Sequence, residues 1–320
     1  MNLIDKQNSL VIDVTFNCNA KCQYCQWGNK KTPGRINQID EFIYVPYKYL
    51  NTLKTDRIVF SGGEPLLRSD LGKIINYYKE SRVQSIITIT NGLLLNEIRL
   101  KNLVKAGMTG ITFSIDSISE SVAKKTRGYS KKQLAVILRH IEEAMKFKEN
   151  NGLEVGINIV ISTANLYNNE IENFISYTNN YKFNWIKFQP IFDDGYVSKN
   201  APELLLSEKD ADLVLETGKA VLSLSNNQIN PIEFWESIRE LLIGNLLLGN
   251  SCGLDTRQAI AQKGNIKICP WINFPKFSLI SSNEHNLLAI QNQFSKIKET
   301  CKTGTHCYCM QKINHKWKTQ

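Results

Sequence analysis

The 320-residue chain contains no run of eighteen apolar residues, so no helix is predicted to cross a bilayer. Its first sixteen residues lack the basic start, long apolar centre and small-residue cleavage site of a secretory signal, which predicts a cytosolic (cytoplasmic) protein without structural disulfides. No internal repeat or low-complexity tract interrupts it. Cysteine is missing altogether between Cys25 and Cys252. What these absences leave is a soluble globular protein, with 42% hydrophobic and 22% charged residues. The length suits one large barrel-type domain with a small appendage, or two ordinary domains, and exceeds the size at which a fold needs staples.

What is present gathers at the two ends. Eight cysteines fall as three within residues 18–25 and five within residues 252–309. In a reducing compartment, thiols clustered this way more often bind metal or carry redox chemistry than cross-link a fold. The net charge of +9 is equally uneven, since residues 295–320 hold six lysines against one glutamate.

Between the clusters, short β-rich runs alternate with helical patterns, as in a parallel α/β architecture. Strands are predicted over 10–16, 57–60, 85–90, 110–115, 154–161 and 185–188. Helices are predicted over 41–53, 70–79, 95–105, 131–149 and 169–179. Leu134, Ile137, Leu138, Ile141 and Met145 repeat at helical spacing with charges on the other side, so one face packs on the sheet. Six strand–helix units predict a partial (β/α)6 TIM-type barrel or an open wound sheet, with functional groups at the carboxyl ends of the strands. After Pro190 the rhythm changes. Ser207 to Asp210 reads as a capping box opening a helix to about 224, and Asn230-Pro231 opens another to about 242. The expected organisation is a core barrel over 1–200, a helical bridge over 201–249 and a small cysteine-rich C-terminal domain over 250–320.

Cys18, Cys22 and Cys25 follow the first strand directly. Three thiolates in eight residues can hold three corners of a cubane cluster and leave the fourth iron open. Zinc is the alternative, but His140, His285, His306 and His315 are all distant in sequence, so a fourth ligand would have to come from far away.

The CxxxCxxC spacing, with Tyr24 before the last cysteine, resembles the signature of the radical S-adenosylmethionine (radical SAM) superfamily. Further motifs stand in that family's order over residues 10–190. Gly62, Gly63, Glu64 and Pro65 resemble its GGEP segment, implying contact with the amino group of SAM, and glycine lets the main chain approach a ligand closely. Thr90-Asn91-Gly92 and Ser114-Ile-Asp116 resemble segments that contact ribose and carboxylate. Asn158 and Gln189 match further positions on the cofactor's side. Read without the resemblance, Thr90-Asn91-Gly92 is a turn, Ser114 and Asp116 cap a loop, and Tyr24 belongs to the core.

The cysteines after residue 250 resemble the opening of the SPASM and twitch domains of the same superfamily, through the spacing Cys252-x11-Gly264-x4-Cys269. Residues 260–269 read as a short hairpin with Gly264-Asn265 at its turn. The resemblance implies a second, auxiliary [4Fe–4S] cluster on Cys252, Cys269, Cys307 and Cys309, with Cys301 spare. A zinc knuckle including His306 is the alternative.

By resemblance, then, the protein is a radical SAM iron–sulfur enzyme. Such an enzyme cleaves SAM reductively to a 5′-deoxyadenosyl radical and removes a hydrogen atom from an unactivated carbon of a peptide or small natural-product substrate. An auxiliary cluster implies net oxidation, a dehydrogenation or cross-link, with electrons from a flavodoxin or ferredoxin. A spare thiol at Cys301 that returns hydrogen would instead imply epimerisation. Asp13, Gln189, Asp193 and Asp194 are candidates to face the substrate. The superfamily's molybdopterin-precursor enzyme, which acts on GTP, normally ends in Gly-Gly, whereas this chain ends Trp317-Lys-Thr-Gln320, which predicts a different member. A first strand near residue 10 leaves no room ahead of it for a leader-binding domain. A zinc- or nucleic-acid-binding protein without enzymatic activity is the alternative of a different class. It would explain the basic tail but not the motifs of residues 10–190, and the tail lacks aromatic stacking platforms.

Overall fold

The computed structural model describes residues 8–25, 27–28, 43–45, 47–52, 55–81, 83–191 and 196–244, together with the backbone of three short later strands. Six parallel strands form the frame: β1 (Asn8–Thr15), β2 (Thr55–Gly62), β3 (Ser85–Thr90), β4 (Gly110–Ser114), β5 (Glu154–Ile161) and β6 (Trp185–Pro190). Each lies where the β-rich runs predict. Helices Leu71–Glu80, Glu97–Ala106, Lys131–Asn151 and Glu170–Thr178 alternate with them, giving the partial (β/α)6 barrel. Of the helix expected over 41–53, Tyr47–Thr52 is described. A further helix, Glu120–Arg127, was hidden by its polar composition, because its buried side is only Val122, Ala123, Thr126 and Arg127.

The two faces of these strands differ. Ile58, Phe60, Ile111, Phe113, Val155 and Ile157 point at the helices and are fully buried. The alternate residues Arg57, Val59 and Ser61 of β2, and Trp185 and Lys187 of β6, face the barrel lumen and are only half-buried. Period-two alternation thus sorts one strand into a packed side and an open side.

An incomplete barrel leaves two strand edges, and both are covered. On the β6 edge, Gln228 and Asn230 act as a surrogate strand: the backbone N–H of Ile186 donates to Gln228 O (2.8 Å) and that of Phe188 to Asn230 Oδ1 (2.7 Å). On the other edge, β7 (Gln258–Gln262) pairs in parallel with β1, Ser9 opposite Gln258 through Ile12 opposite Ala261. β8 (Asn265–Lys267) and β9 (Phe277–Ser278) continue antiparallel, completing the order β6-β5-β4-β3-β2-β1-β7-β8-β9. The hairpin is therefore present, with Gln262 opposite Asn265, so Asn265 opens a strand instead of sitting in the turn as predicted. The chain after residue 250 enters the core sheet through this hairpin. In the bridge, the box at Ser207 forms as expected, with Ser207 N–H donating to Asp210 Oδ2 at 2.8 Å. Helices Ala211–Leu224 and Ile232–Leu242 follow, and Trp235 packs on Phe188 with ring centroids 4.9 Å apart. Among the described residues no helix is long and apolar enough to cross a membrane.

Candidate active site

The cysteine loop leaves β1 at Thr15 and is pressed at once against the glycine motif at the end of β2. Gly63 N–H donates to Thr15 O (2.7 Å) and Glu64 N–H to Asn17 O (2.8 Å). A Cβ on Gly63 would stand 2.1 Å from Asn17 O. On Gly62, whose φ is +108°, it would stand 2.4 Å from Thr15 O. Glycine is required here for main chain to meet main chain.

Glu64 does not project from this motif. Its carboxylate is 1% exposed and accepts from Leu66 N–H (2.9 Å), the Thr90 hydroxyl (2.7 Å) and Asn91 N–H (2.7 Å). Burial raises its pKa, opposed by those donors. The side chain therefore clamps the ends of β2 and β3 together and does not reach out to a ligand. Thr90 is consumed by the same clamp, while Asn91 reaches the other way and donates to Asn19 Oδ1 (2.7 Å), with Cys18 Sγ at 3.8 Å. His140 is taken up by the fold, its Nδ1 lying 2.8 Å from Gly92 O in a buried contact.

Asp116, beyond β4, holds the far side of the loop. Its carboxylate accepts from the Tyr24 hydroxyl (2.6 Å), Arg127 Nη2 (2.8 Å) and Val160 N–H (3.0 Å). The Arg127 guanidinium also lies 5.6 Å from the centre of the Tyr24 ring. Burial is the largest influence on Arg127 and opposes its charge, but Asp116 together with Tyr24, Cys22 and Tyr129 outweighs it and holds the guanidinium protonated. For Tyr24 burial dominates and pushes its hydroxyl well above the ordinary value. Gln23 N–H donates to Thr126 O at 2.8 Å, tying the loop to helix Glu120–Arg127. Sequence reasoning missed Arg127; an arginine closing a short helix beside glycine carries no signal until the fold brings Asp116 to it.

None of Cys18, Cys22 and Cys25 is in a disulfide. Burial raises the thiol pKa of Cys18 and pushes that of Cys22 up to about 12, against the pull of Arg127 on the latter. Among the described residues no three His, Cys, Asp or Glu side chains converge tightly enough for one metal ion. Three thiols spread along one loop, with Glu64 and Asp116 already committed, suit the separated corner irons of a cubane better than a zinc ion.

Ser114, Asn158 and Lys187 lie abreast on β4, β5 and β6. Asn158 Oδ1 is buried without a hydrogen-bond partner, as expected of a group that meets a ligand. Gln189 is exposed at the carboxyl end of β6, and Asp13 is half-buried on β1. Asp193, Asp194, Cys252, Cys269, Cys301, Cys307 and Cys309 lie outside the described residues.

Residues 12–161 match the family model described as the Radical SAM superfamily. A Clostridium botulinum (strain Hall) protein named GTP 3′,8-cyclase is 30% identical over 92% of this chain and 89% of its own length. A Methanococcus maripaludis (strain C6) protein named probable GTP 3′,8-cyclase is 36% identical over 37% of this chain and 39% of its own. Among solved structures, Streptococcus suis SuiB bound to S-adenosylmethionine aligns with TM-score 0.63 and 15% identity, over 91% of this chain and 68% of that one. The protein anSMEcpe, with bound AdoMet and a Cp18Cys peptide, aligns with TM-score 0.64 and 18% identity, over 95% and 88% of the two chains. At these identities the structures speak for the fold alone.

Proposed function

The chain belongs to the radical SAM superfamily, and from that premise we propose that it removes a hydrogen atom from an unactivated carbon of a small natural-product or peptide substrate in a net oxidation. Its cofactors are a [4Fe–4S] cluster and SAM. When bound, they supply one-electron cleavage of the sulfonium and a 5′-deoxyadenosyl radical that takes the hydrogen. Cys18, Cys22 and Cys25 would hold the cluster, with electrons supplied by a cytosolic flavodoxin or ferredoxin. The backbone of Gly62 and Gly63 would receive the amino end of SAM, and Tyr24, Ser114, Asn158 and Gln189 would border its remainder. Glu64, Thr90 and Asn91 position the loop, and Asp116 with Arg127 fixes Tyr24. The reading rests chiefly on one observation: the buried Glu64 clamp draws the cysteine loop, the glycine turn and the end of β3 into one shell. A second cluster on the cysteines after residue 250 would accept the substrate's electron. Cys301 as hydrogen donor would turn the same chemistry to epimerisation.

A purine nucleotide is the second substrate reading, favoured by relatives named GTP 3′,8-cyclase along most of the chain. Those names return GTP to consideration, against the expectation drawn from the last residues of the chain. Anaerobically reconstituted protein, incubated with SAM, dithionite and either GTP or candidate peptides, separates the readings by mass spectrometry. Loss of two hydrogens marks oxidation, and unchanged mass with solvent deuterium uptake marks epimerisation. GTP converted without change of mass supports the nucleotide reading. A full complement of iron and sulfide with no 5′-deoxyadenosine formed would overturn the proposal.

A further inference from the structure

Between Ser117 and Ile141 the chain carries four lysines and two arginines, and Glu120 is its only acidic residue. Both arginines are committed, Arg127 to the buried Asp116 at 2.8 Å and Arg139 to Glu143 at 3.8 Å. The lysines are not held in this way. Lys124 and Lys125 stand exposed in the last turn of helix Glu120–Arg127, and Lys131 and Lys132 stand exposed in the first turn of helix Lys131–Asn151. Lys131 reaches Glu120 at 3.9 Å, while among the described residues Lys124, Lys125 and Lys132 make no ion pair. The first turn of the longer helix holds no acidic residue, so two ammonium groups stand where the helix dipole disfavours cations. Folding gains nothing from that placement.

This basic rim lies against the cysteine loop. Thr126 O accepts from Gln23 N–H at 2.8 Å, and a Cβ on Gly128, whose φ is +68°, would stand 2.8 Å from Lys21 O. The turn between the two helices is therefore seated directly on residues 21–23. Cys22, beside Gln23, is 8% exposed, whereas Lys21 is exposed and extends the rim onto the loop. The shorter helix follows β4 and the longer one starts beside it before running back to β5. All five ammonium groups thus sit at the end of the barrel where the strands finish and the cysteines lie.

We propose that the rim of Lys21, Lys124, Lys125, Lys131 and Lys132 is the docking surface for the electron donor, an acidic one-electron carrier protein of the flavodoxin or ferredoxin kind. This rests on the radical-enzyme reading, which requires an electron to be delivered to the cysteine loop. One electron leaves the reduced carrier and enters the oxidised cluster, and no bond forms or breaks in that step. Exposed ammonium groups on long side chains steer a large acidic surface, and redox partners meet through small, charge-led contacts. Single-stranded nucleic acid is the poorer occupant. The aromatic side chains between residues 121 and 141, Tyr129 and His140, are buried and offer no face for stacking.

The test compares two kinds of reductant on the reconstituted, SAM-loaded protein at low salt, with cluster reduction followed by stopped-flow absorbance. One is a photoreduced carrier, flavodoxin or, separately, ferredoxin; the other is dithionite, which needs no docking surface. Lys124→Glu combined with Lys125→Glu should slow reduction by the carrier roughly tenfold or more, and added salt should slow the wild type towards the variant. Lys124→Arg with Lys125→Arg keeps the charge and should stay within about threefold. Lys79→Glu with Lys105→Glu, at helix ends on the opposite side of the barrel, should leave the rate unchanged. Dithionite-driven formation of 5′-deoxyadenosine should be the same in every variant. The inference is overturned if neither carrier reduces the wild type, if the Lys124 and Lys125 reversal is reduced by the carrier as fast as wild type, or if the Lys79 and Lys105 reversal slows equally. A parallel loss with dithionite would assign the lysines to the substrate or the fold and overturn it too. Transfer RNA bound by the wild type and lost by the reversal, with carrier kinetics intact, would give the rim to nucleic acid. A wild type that forms no 5′-deoxyadenosine with dithionite would sink the enzyme reading instead. Calorimetric titration with flavodoxin then decides the surface, and equal binding by wild type and reversal counts against it.

Discussion

The two faces of β6 meet different demands one residue apart. Phe188 is 1% exposed, packed on Trp235, and its backbone N–H is capped by Asn230. Lys187 is half-buried, its ammonium resting against an indole with no acceptor among the described residues. The same contrast runs along β2, where Ile58 and Phe60 are sealed while Arg57 keeps an unmet donor. The helix side holds the barrel together with packed apolar side chains, and the lumen side carries half-buried polar ones, Arg57, Asn158 and Lys187. Stability and chemistry are divided between odd and even positions of the same strands.

The largest effect that would sharpen this division is expected from Cys22→Ala. It removes a proposed ligand of the open cluster while costing the fold only about 1 kcal/mol, the scale of a small buried side chain. Iron should fall from about eight to about four atoms per chain if both clusters form, and 5′-deoxyadenosine should drop below detection. Unchanged iron would remove the cysteine loop from the chemistry. Asp116→Ala tests where the division fails, because Asp116 serves both sides. It braces Tyr24 in the loop and satisfies a buried arginine. Leaving Arg127 unpaired should cost about 3–5 kcal/mol in urea unfolding, and cluster incorporation should fall with it. A loss of iron with no loss of stability would show that Asp116 belongs to the site alone.

The part of this arrangement that could be read from the sequence is the part written locally. Six strands were legible because each carries its own apolar run, and the boxes at Ser207 and the helix ending near 242 were legible from capping chemistry. The Cys18, Gly62, Thr90 and Ser114 motifs were legible as successive strand ends. What stayed hidden depends on long-range meetings. Glu64 reads as a ligand until Asn91, 27 residues on, takes its carboxylate. Asp116 joins Tyr24 across 92 residues. The pairing of β7 with β1 joins residues 9–12 to 258–261, which no local pattern announces. The lumen-facing Arg57 and Lys187 were missed for the same reason, since an isolated cation in a strand reads as a solvated edge until the barrel is closed around it.

Phe188→Ala measures the packed face. Removing a fully buried ring that touches Trp235 should cost about 3–5 kcal/mol by denaturant midpoint. Its neighbour should behave in the opposite sense. Burial and the like charge of Arg57 lower the Lys187 ammonium to about 8, against the pull of Glu154. The unfolded lysine titrates near 10.4. Between these values the unfolded chain binds more protons than the folded one, so wild-type stability should rise with pH across that window. Below about pH 8 the full cost of holding the charge is present. Lys187→Met removes the charge and keeps most of the side-chain volume, so at pH 7 it should be more stable than wild type by up to about 3 kcal/mol. The advantage should shrink from pH 8 to 10.4 as wild-type Lys187 loses its proton. Urea midpoints of both proteins at pH 7, 9 and 10.5 check this. Equal midpoints at every pH would mean that the lumen cation is already satisfied and that the two faces of β6 do not differ in kind.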